Sequence, residues 1–220
     1  MSWIRVTLQS SIGCKLIMAL TGLGLVGFLL AHLLGNLLIF KGAQAFNQYA
    51  RSLRDYNELL WFARIALIGM FFLHIFSALR LTRLNRLANP TSYRKKNYRQ
   101  STFASRTMML SGLVVLFFVL YHLAHFTFKW THPELSQLGE FNIYPLVVGS
   151  FRSPVVSVFY ILSIVLLMLH LQHGLFALFQ SLGIHHTKYH AFVKGSAVAV
   201  CFLLGFGFIA IPLSVLFGII

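Results

Sequence analysis

The stretch PVVSVFYILSIVLLMLHLQHGLFALFQSL, residues 154–182, decides how this chain folds. It contains no Asp, Glu, Lys or Arg, and it opens on Pro154, a residue that starts a helix at no cost because its missing N–H would be unpaired there anyway. About 20 apolar residues span a bilayer as a helix, and only a helix satisfies the backbone of a single segment in lipid. Four more segments read the same way, at about 13–40, 59–84, 106–130 and 194–218. The fold expected is all-α, an integral membrane bundle of five transmembrane helices, with residues 1–220 as one domain. The run from Gly13 to Phe40 is too long for a signal-peptide core and no small-residue cleavage site follows it, so it is read as a retained first helix. Polar segments at 41–58, 85–105, 131–153 and 183–193 separate the spans. No long internal repeat, low-complexity stretch or soluble domain is evident.

Composition agrees. Only 10% of residues are charged while 58% are hydrophobic; soluble domains carry roughly 25% charged residues, so this chain cannot cover a water-facing surface. The net charge of +14 comes from 18 Lys and Arg against 4 Asp and Glu. In a soluble protein that balance would point to nucleic acid. Here the basic residues cluster between apolar spans, as orientation signals do, and no nucleic-acid partner is expected. With the N-terminus in the cytoplasm, the inner segments and helix ends carry Arg5, Lys15, Arg80, Arg83, Arg86, Arg94, Lys95, Lys96, Arg99, Arg106, Lys188 and Lys194. The outer ones carry Lys41, Arg51, Arg54, Arg64, Lys129 and Arg152, and all four acids, Asp55, Glu58, Glu134 and Glu140, fall on the outer side. The expected location is the inner (cytoplasmic) cell membrane, multi-pass, with the C-terminus outside. Trp61 and Trp130 sit near helix ends, as interface anchors do. Cys14 and Cys201 form no metal-ligand spacing and no disulfide framework.

No acid lies within a span, but His32, His74, His122, His125, His170 and His173 do. An ionisable ring inside a membrane is costly and marks function; a single one could instead hydrogen-bond a neighbouring helix. A histidine in each of four successive helices favours function. At about 1.5 Å of rise per residue, His32 lies roughly 28 Å and His122 roughly 24 Å above the inner helix ends, His74 roughly 15 Å and His170 roughly 18 Å. The four fall into two layers, His32 with His122 and His74 with His170. Two imidazoles facing each other at one depth make a bis-His haem b site, closed to oxygen chemistry and suited to electron transfer. Two such sites stacked across a bilayer carry electrons through it. Helices 3 and 4 each offer two histidines three residues apart on nearly one face. Periodicity does not choose between them, so His125 and His173 stand as alternates, as neighbours of the ligands or as quinone contacts. Gly24, Gly27, Gly35 and Gly174 would let a flat macrocycle approach the backbone, or serve ordinary small-residue packing.

Several stretches resemble a known family. They are Ser10-Ser11-Ile12-Gly13-Cys14-Lys15 leading to Met18-Ala19-Leu20-Thr21-Gly22; Ala31-His32-Leu33-Leu34-Gly35-Asn36 followed by Gly42-Ala43-Gln44-Ala45-Phe46-Asn47; and Leu169-His170-Leu171-Gln172-His173-Gly174-Leu175 ending Ser181-Leu182-Gly183-Ile184. In order, over nearly the whole chain, they look like the five-helix di-haem cytochrome b anchor of succinate dehydrogenase and fumarate reductase. The resemblance implies a subunit without dehydrogenase chemistry of its own. A flavoprotein subunit with covalent FAD oxidises succinate, an iron–sulfur subunit passes electrons to this anchor, and two haems b carry them to a quinone, menaquinone or ubiquinone. It implies His32 and His122 as ligands of the outer haem, and His74 and His170 of the inner. It favours His122 over His125 because His122 follows the run Phe117-Phe118-Val119-Leu120-Tyr121, and His170 because Gly174 follows four residues later. One departure stands out: some relatives carry a Glu near the helix 4 ligand, linked to proton movement, where this chain has Met168 and Leu169.

Haem propionates call for cations, for which Arg80, Arg83 and Lys188 are inner candidates and Lys41 an outer one; snorkelling interface residues look the same in sequence. By resemblance the quinone lies near the outer haem, where Asn36, Gln44, Asn47, Tyr49, Arg51 and Glu58 offer hydrogen-bond or proton partners. The basic surface around 86–99 would face the iron–sulfur partner. Two alternatives share the composition: a di-haem anchor of another respiratory dehydrogenase, and a non-enzymatic transporter with structural histidines. A respiratory cytochrome b with two ligands on each of two helices does not fit the histidine spacing.

Overall fold

The computed structural model describes residues 6–7, 10–88, 102–131, 142–184 and 186–220. Arg5, Arg94, Lys95, Lys96, Arg99, Glu134 and Glu140, used above for orientation, lie outside them, as does most of the basic surface at 86–99. All the candidate site residues lie within them.

The described residues are helical, with no strands among them. The order is α1 (Ser11–Leu37), a 3-10 turn (Leu38–Lys41), α2 (Ala43–Asp55), α3 (Asn57–Ala88), α4 (Phe103–Arg106), α5 (Met108–His122), a π-helical turn (Leu123–Thr127), α6 (Ile143–Phe151), α7 (Pro154–Ser181) and α8 (Thr187–Leu216). Five helices are long and apolar enough to cross a membrane: α1 with its 3-10 turn, α3, α5 with its π turn, α7 and α8. They are the five expected from sequence. Their surroundings are those of a membrane protein too, because large apolar side chains such as Phe72 on α3 and Phe202 on α8 stand 66% and 69% exposed, where a water-soluble fold would have no use for so many.

Local chemistry sets the helix ends. Ser10 caps α1 by accepting from the Gly13 N–H at 3.1 Å, and Pro154 begins α7 as read from sequence. Gly183, at φ 79°, ends α7 in the left-handed conformation that glycine adopts freely. Two helices go beyond the sequence expectation. The polar segment 41–58 contains α2, and 131–153 contains α6. Gly42, at φ 92°, makes the corner between the 3-10 turn and α2. The third span also differs, ending its α-helix at His122 and passing through a π turn instead of running on as α-helix to 130.

The helices α1 and α7 are central. They pack on each other and both pack on α8; α3 lies on α1, and α5 lies on α7. The seam of α1, α7 and α8 buries Val26, Leu33, Leu171, Leu175, Ala197, Cys201 and Leu204. A second cluster, at the end bearing α2 and α6, gathers Ile39, Phe46, Val148, Phe151, Tyr160, Ile211 and Val215. Neither α1 with α5 nor α3 with α7 forms an extensive helix–helix contact. His32 and His122 stand on the first two of these helices, and His74 and His170 on the other two.

Candidate cofactor site

The rings of His32 on α1 and His122 on α5 lie 5.9 Å apart, centroid to centroid, with their planes at 87°. Phe28 stacks on His32 at 5.3 Å, while Phe118, Phe126 and Tyr160 surround His122. A metal held between two imidazoles needs about 2.0 Å per metal–nitrogen bond, so the two ring centroids must stand on the order of 6 Å apart once the ring radii are added. The observed separation matches. Nδ1 of His122 is buried and has no hydrogen-bond partner among the described residues. A buried nitrogen left unpaired is uncommon and calls for a group to satisfy it.

His74 stands on α3 and His170 on α7. Each is held by a hydroxyl from the helix beside it. Nδ1 of His74 lies 3.2 Å from Thr21 Oγ1, and Nδ1 of His170 lies 3.1 Å from Ser111 Oγ. A hydroxyl has one proton to give. That of Thr21 goes to the Ile17 carbonyl at 2.6 Å, and that of Ser111 to the Met108 carbonyl at 3.1 Å. With its proton on the carbonyl, each hydroxyl turns a lone pair toward its histidine and accepts from the Nδ1–H tautomer of the ring. In a neutral imidazole this leaves Nε2 with a free lone pair, the form that ligates a metal.

The levels of the two pairs follow from α1 and α5. Thr21 and His32 are eleven residues apart on α1, and Ser111 and His122 are eleven apart on α5, so about 16 Å of helix separates the pairs.

His125 is engaged differently. It sits in the π turn with no solvent exposure, and both ring nitrogens are occupied: Nδ1 by the Tyr160 hydroxyl at 2.9 Å, Nε2 by Ser150 Oγ at 3.0 Å. Ser150 gives its own proton to the Leu146 carbonyl at 2.6 Å. It thus accepts from Nε2–H, and Tyr160 donates to Nδ1, leaving no free lone pair on His125. His173, three residues after His170 on α7, is half-buried.

The other candidates scatter. Asn36 donates to the His32 carbonyl at 2.8 Å, tying it to its own helix. Asn47 bridges α2 to α6, donating to Asn142 at 2.7 Å and accepting from the Tyr144 N–H at 3.0 Å. Tyr49 rests on Gly35, whose missing side chain makes room for it. Gln44, Arg51 and Glu58 are exposed on or beside α2. Lys41 is exposed at the end of the 3-10 turn, and the Lys188 ammonium sits 5.6 Å from the Tyr189 ring. Arg80 and Arg83 line a groove on α3 with Phe76, Leu79, Leu84 and Leu87. Of the glycines, Gly24 accommodates Met70 and Gly35 accommodates Tyr49, which is helix packing, while Gly27 and Gly174 have open space beside them.

Thr21, Ser111, Tyr160 and Ser150 are site residues that sequence reasoning misses. One signal for the first two is legible. Met18-Ala19-Leu20-Thr21-Gly22 and Met108-Met109-Leu110-Ser111-Gly112 share one pattern, and in each case a histidine follows the glycine by ten residues. A short repeat therefore relates α1 to α5, although no long one runs through the chain. No family of known proteins, no curated protein and no solved structure matches this chain.

Proposed function

We propose that this chain is the cytochrome b membrane anchor of a succinate:quinone oxidoreductase, passing electrons between an iron–sulfur subunit and membrane quinone through two haems b. The observation that carries the reading is the His32–His122 pair, whose rings meet 5.9 Å apart between helices that form no extensive contact, together with His74 and His170 each seated on a hydroxyl of the helix beside it. The donor set fits haem. His74 and His170 have Nδ1 against a hydroxyl, which leaves Nε2 for a metal, His122 has a buried nitrogen with no partner among the described residues, and no Asp or Glu lies within a span to favour a harder metal. Haem b, held by these histidines, would supply one-electron chemistry at each pair.

The remaining work falls to the chain's own residues. His32, His74, His122 and His170 would bind; Thr21 and Ser111 fix ring orientation; Phe28, Phe118 and Phe126 exclude water from the His32–His122 pair. Arg80, Arg83, Lys188 and Lys41 remain candidates for propionates. Quinone contacts are sought at the end bearing α2, where Tyr49, Gln44, Arg51 and Glu58 stand in place of the structurally committed Asn36 and Asn47. The flavoprotein and iron–sulfur partners, the cytoplasmic N-terminus and the inner-membrane location belong to the same proposal.

Purification of the tagged chain from native membranes tests it. Co-isolation of a covalent flavoprotein and an iron–sulfur protein, with a haem b spectrum reduced by succinate, is the expected result. Haem b with a different dehydrogenase would shift the reading to another respiratory anchor, and an isolated chain without haem would leave the histidines to packing or transport. Alanine replacement of His74 or His170 should remove one and the same haem, and that of His32 or His122 the other.

A further inference from the structure

We infer that Thr21 and Ser111 are matched positioning residues that set the redox properties of the His74–His170 site independently of the His32–His122 site. The inference rests on the haem reading above and deepens it. Its ground is a structural repeat. In each half of the chain, one turn of a Met-x-Leu-(Thr/Ser)-Gly segment meets a histidine on the helix beside it, Thr21 meeting His74 and Ser111 meeting His170. The two contacts agree in atom, in distance and in the commitment of the hydroxyl proton to a backbone carbonyl behind it. The glycine after each hydroxyl completes the seat. A Cβ built on Gly22 would meet His74 Cε1 at 3.5 Å, and one on Gly112 would meet His170 Cε1 at 3.3 Å, so a side chain larger than methyl would press on the ring.

The His32–His122 pair has no counterpart. His122 Nδ1 lacks any partner among the described residues, and aromatic rings flank both imidazoles. The two sites therefore differ in one chemical respect: each ring of one pair has a hydroxyl at Nδ1, and His122 of the other has none among the described residues. A hydrogen bond that draws on Nδ1–H makes Nε2 the stronger donor. A stronger donor favours ferric over ferrous iron, and axial hydrogen bonding is one of the means by which a protein tunes a haem. Removal of either hydroxyl should weaken the donor and raise the midpoint potential of that haem alone. It should also free the ring to turn about its own bond to the helix.

The test is a redox titration of the full assembly in native membranes, followed at the haem absorption bands, with electron paramagnetic resonance of the ferric state to report the ligand planes. The variants are Thr21→Val, Ser111→Ala and the conservative Thr21→Ser and Ser111→Thr. T21V and S111A are each expected to move the same one of two midpoints upward and to shift one of two ferric signals, while T21S and S111T titrate as the parent does. Loss of only that haem from T21V or S111A, restored by the hydroxyl-bearing replacement, supports the inference equally. Titrations of T21V and S111A that superimpose on the parent's overturn it, as does a parallel change or loss of both haems. A parent protein without haem would instead overturn the proposed function itself.

Discussion

Replacement of His125 by alanine separates a structural histidine from a ligand three residues away. The ring is fully buried, hydrogen-bonded through both nitrogens and stacked on Phe126 at 4.1 Å. Ser150 loses only a donor, because its proton already satisfies the Leu146 carbonyl. The Tyr160 hydroxyl loses its acceptor inside the protein, which costs about 1–3 kcal/mol, with the lower end favoured because hydrogen bonds between membrane helices average about 0.6 kcal/mol. The lost stack adds about 0.5–1.5 kcal/mol, and the cavity adds to both, for a total of about 2–4 kcal/mol. At about 2–4 °C per kcal/mol for a chain of this size, His125→Ala should unfold roughly 5–15 °C lower. Cys14 and Cys201 are free and buried, so a thiol-reactive fluorophore in detergent reports the transition directly. Haem content should stay at that of the parent. A variant that loses one haem while melting normally would refute the structural role of His125 and make it the ligand in place of His122.

Further outcomes follow from contacts elsewhere. Gly35→Ala places a Cβ 2.6 Å from the Tyr49 hydroxyl and ring, so α2 must lift from α1; the expected loss is about 1–3 kcal/mol, read in the same dye assay. Gly24→Ala is the control for that measurement, since the atom it meets is the flexible end of Met70, and it should cost less. Asn47→Ala removes both the bond to Asn142 and the cap on the first turn of α6; about 0.5–2 kcal/mol is expected, together with faster proteolysis between α2 and α6. An unchanged melting temperature for Asn47→Ala would leave Asn47 available for quinone.

The spans are legible in the sequence because length and composition decide them. A charge-free run such as 154–182 has one solution in lipid, and α7 occupies nearly the same residues. The helix α2 is not legible as a span is, since it is short and polar and sits on the bundle through Phe46 and Tyr49. Depth along the helices pairs His32 with His122, and the two rings do face each other. Depth does not separate His122 from His125, because in an α-helix the two share a face; the π turn and the hydroxyls of Tyr160 and Ser150, contributed from distant parts of the chain, make the difference. Asn47 illustrates the same limit. A polar residue at a helix end reads as a site, and only its partner Asn142, far along the chain, shows it to be a brace.

The central claim is that the four histidines hold two haems, and the most direct measurement is the haem b content per polypeptide of the purified, assembled protein by pyridine haemochrome. Two per chain are expected, falling to one in His32→Ala, His74→Ala, His122→Ala or His170→Ala. A fully assembled chain carrying none would contradict the claim.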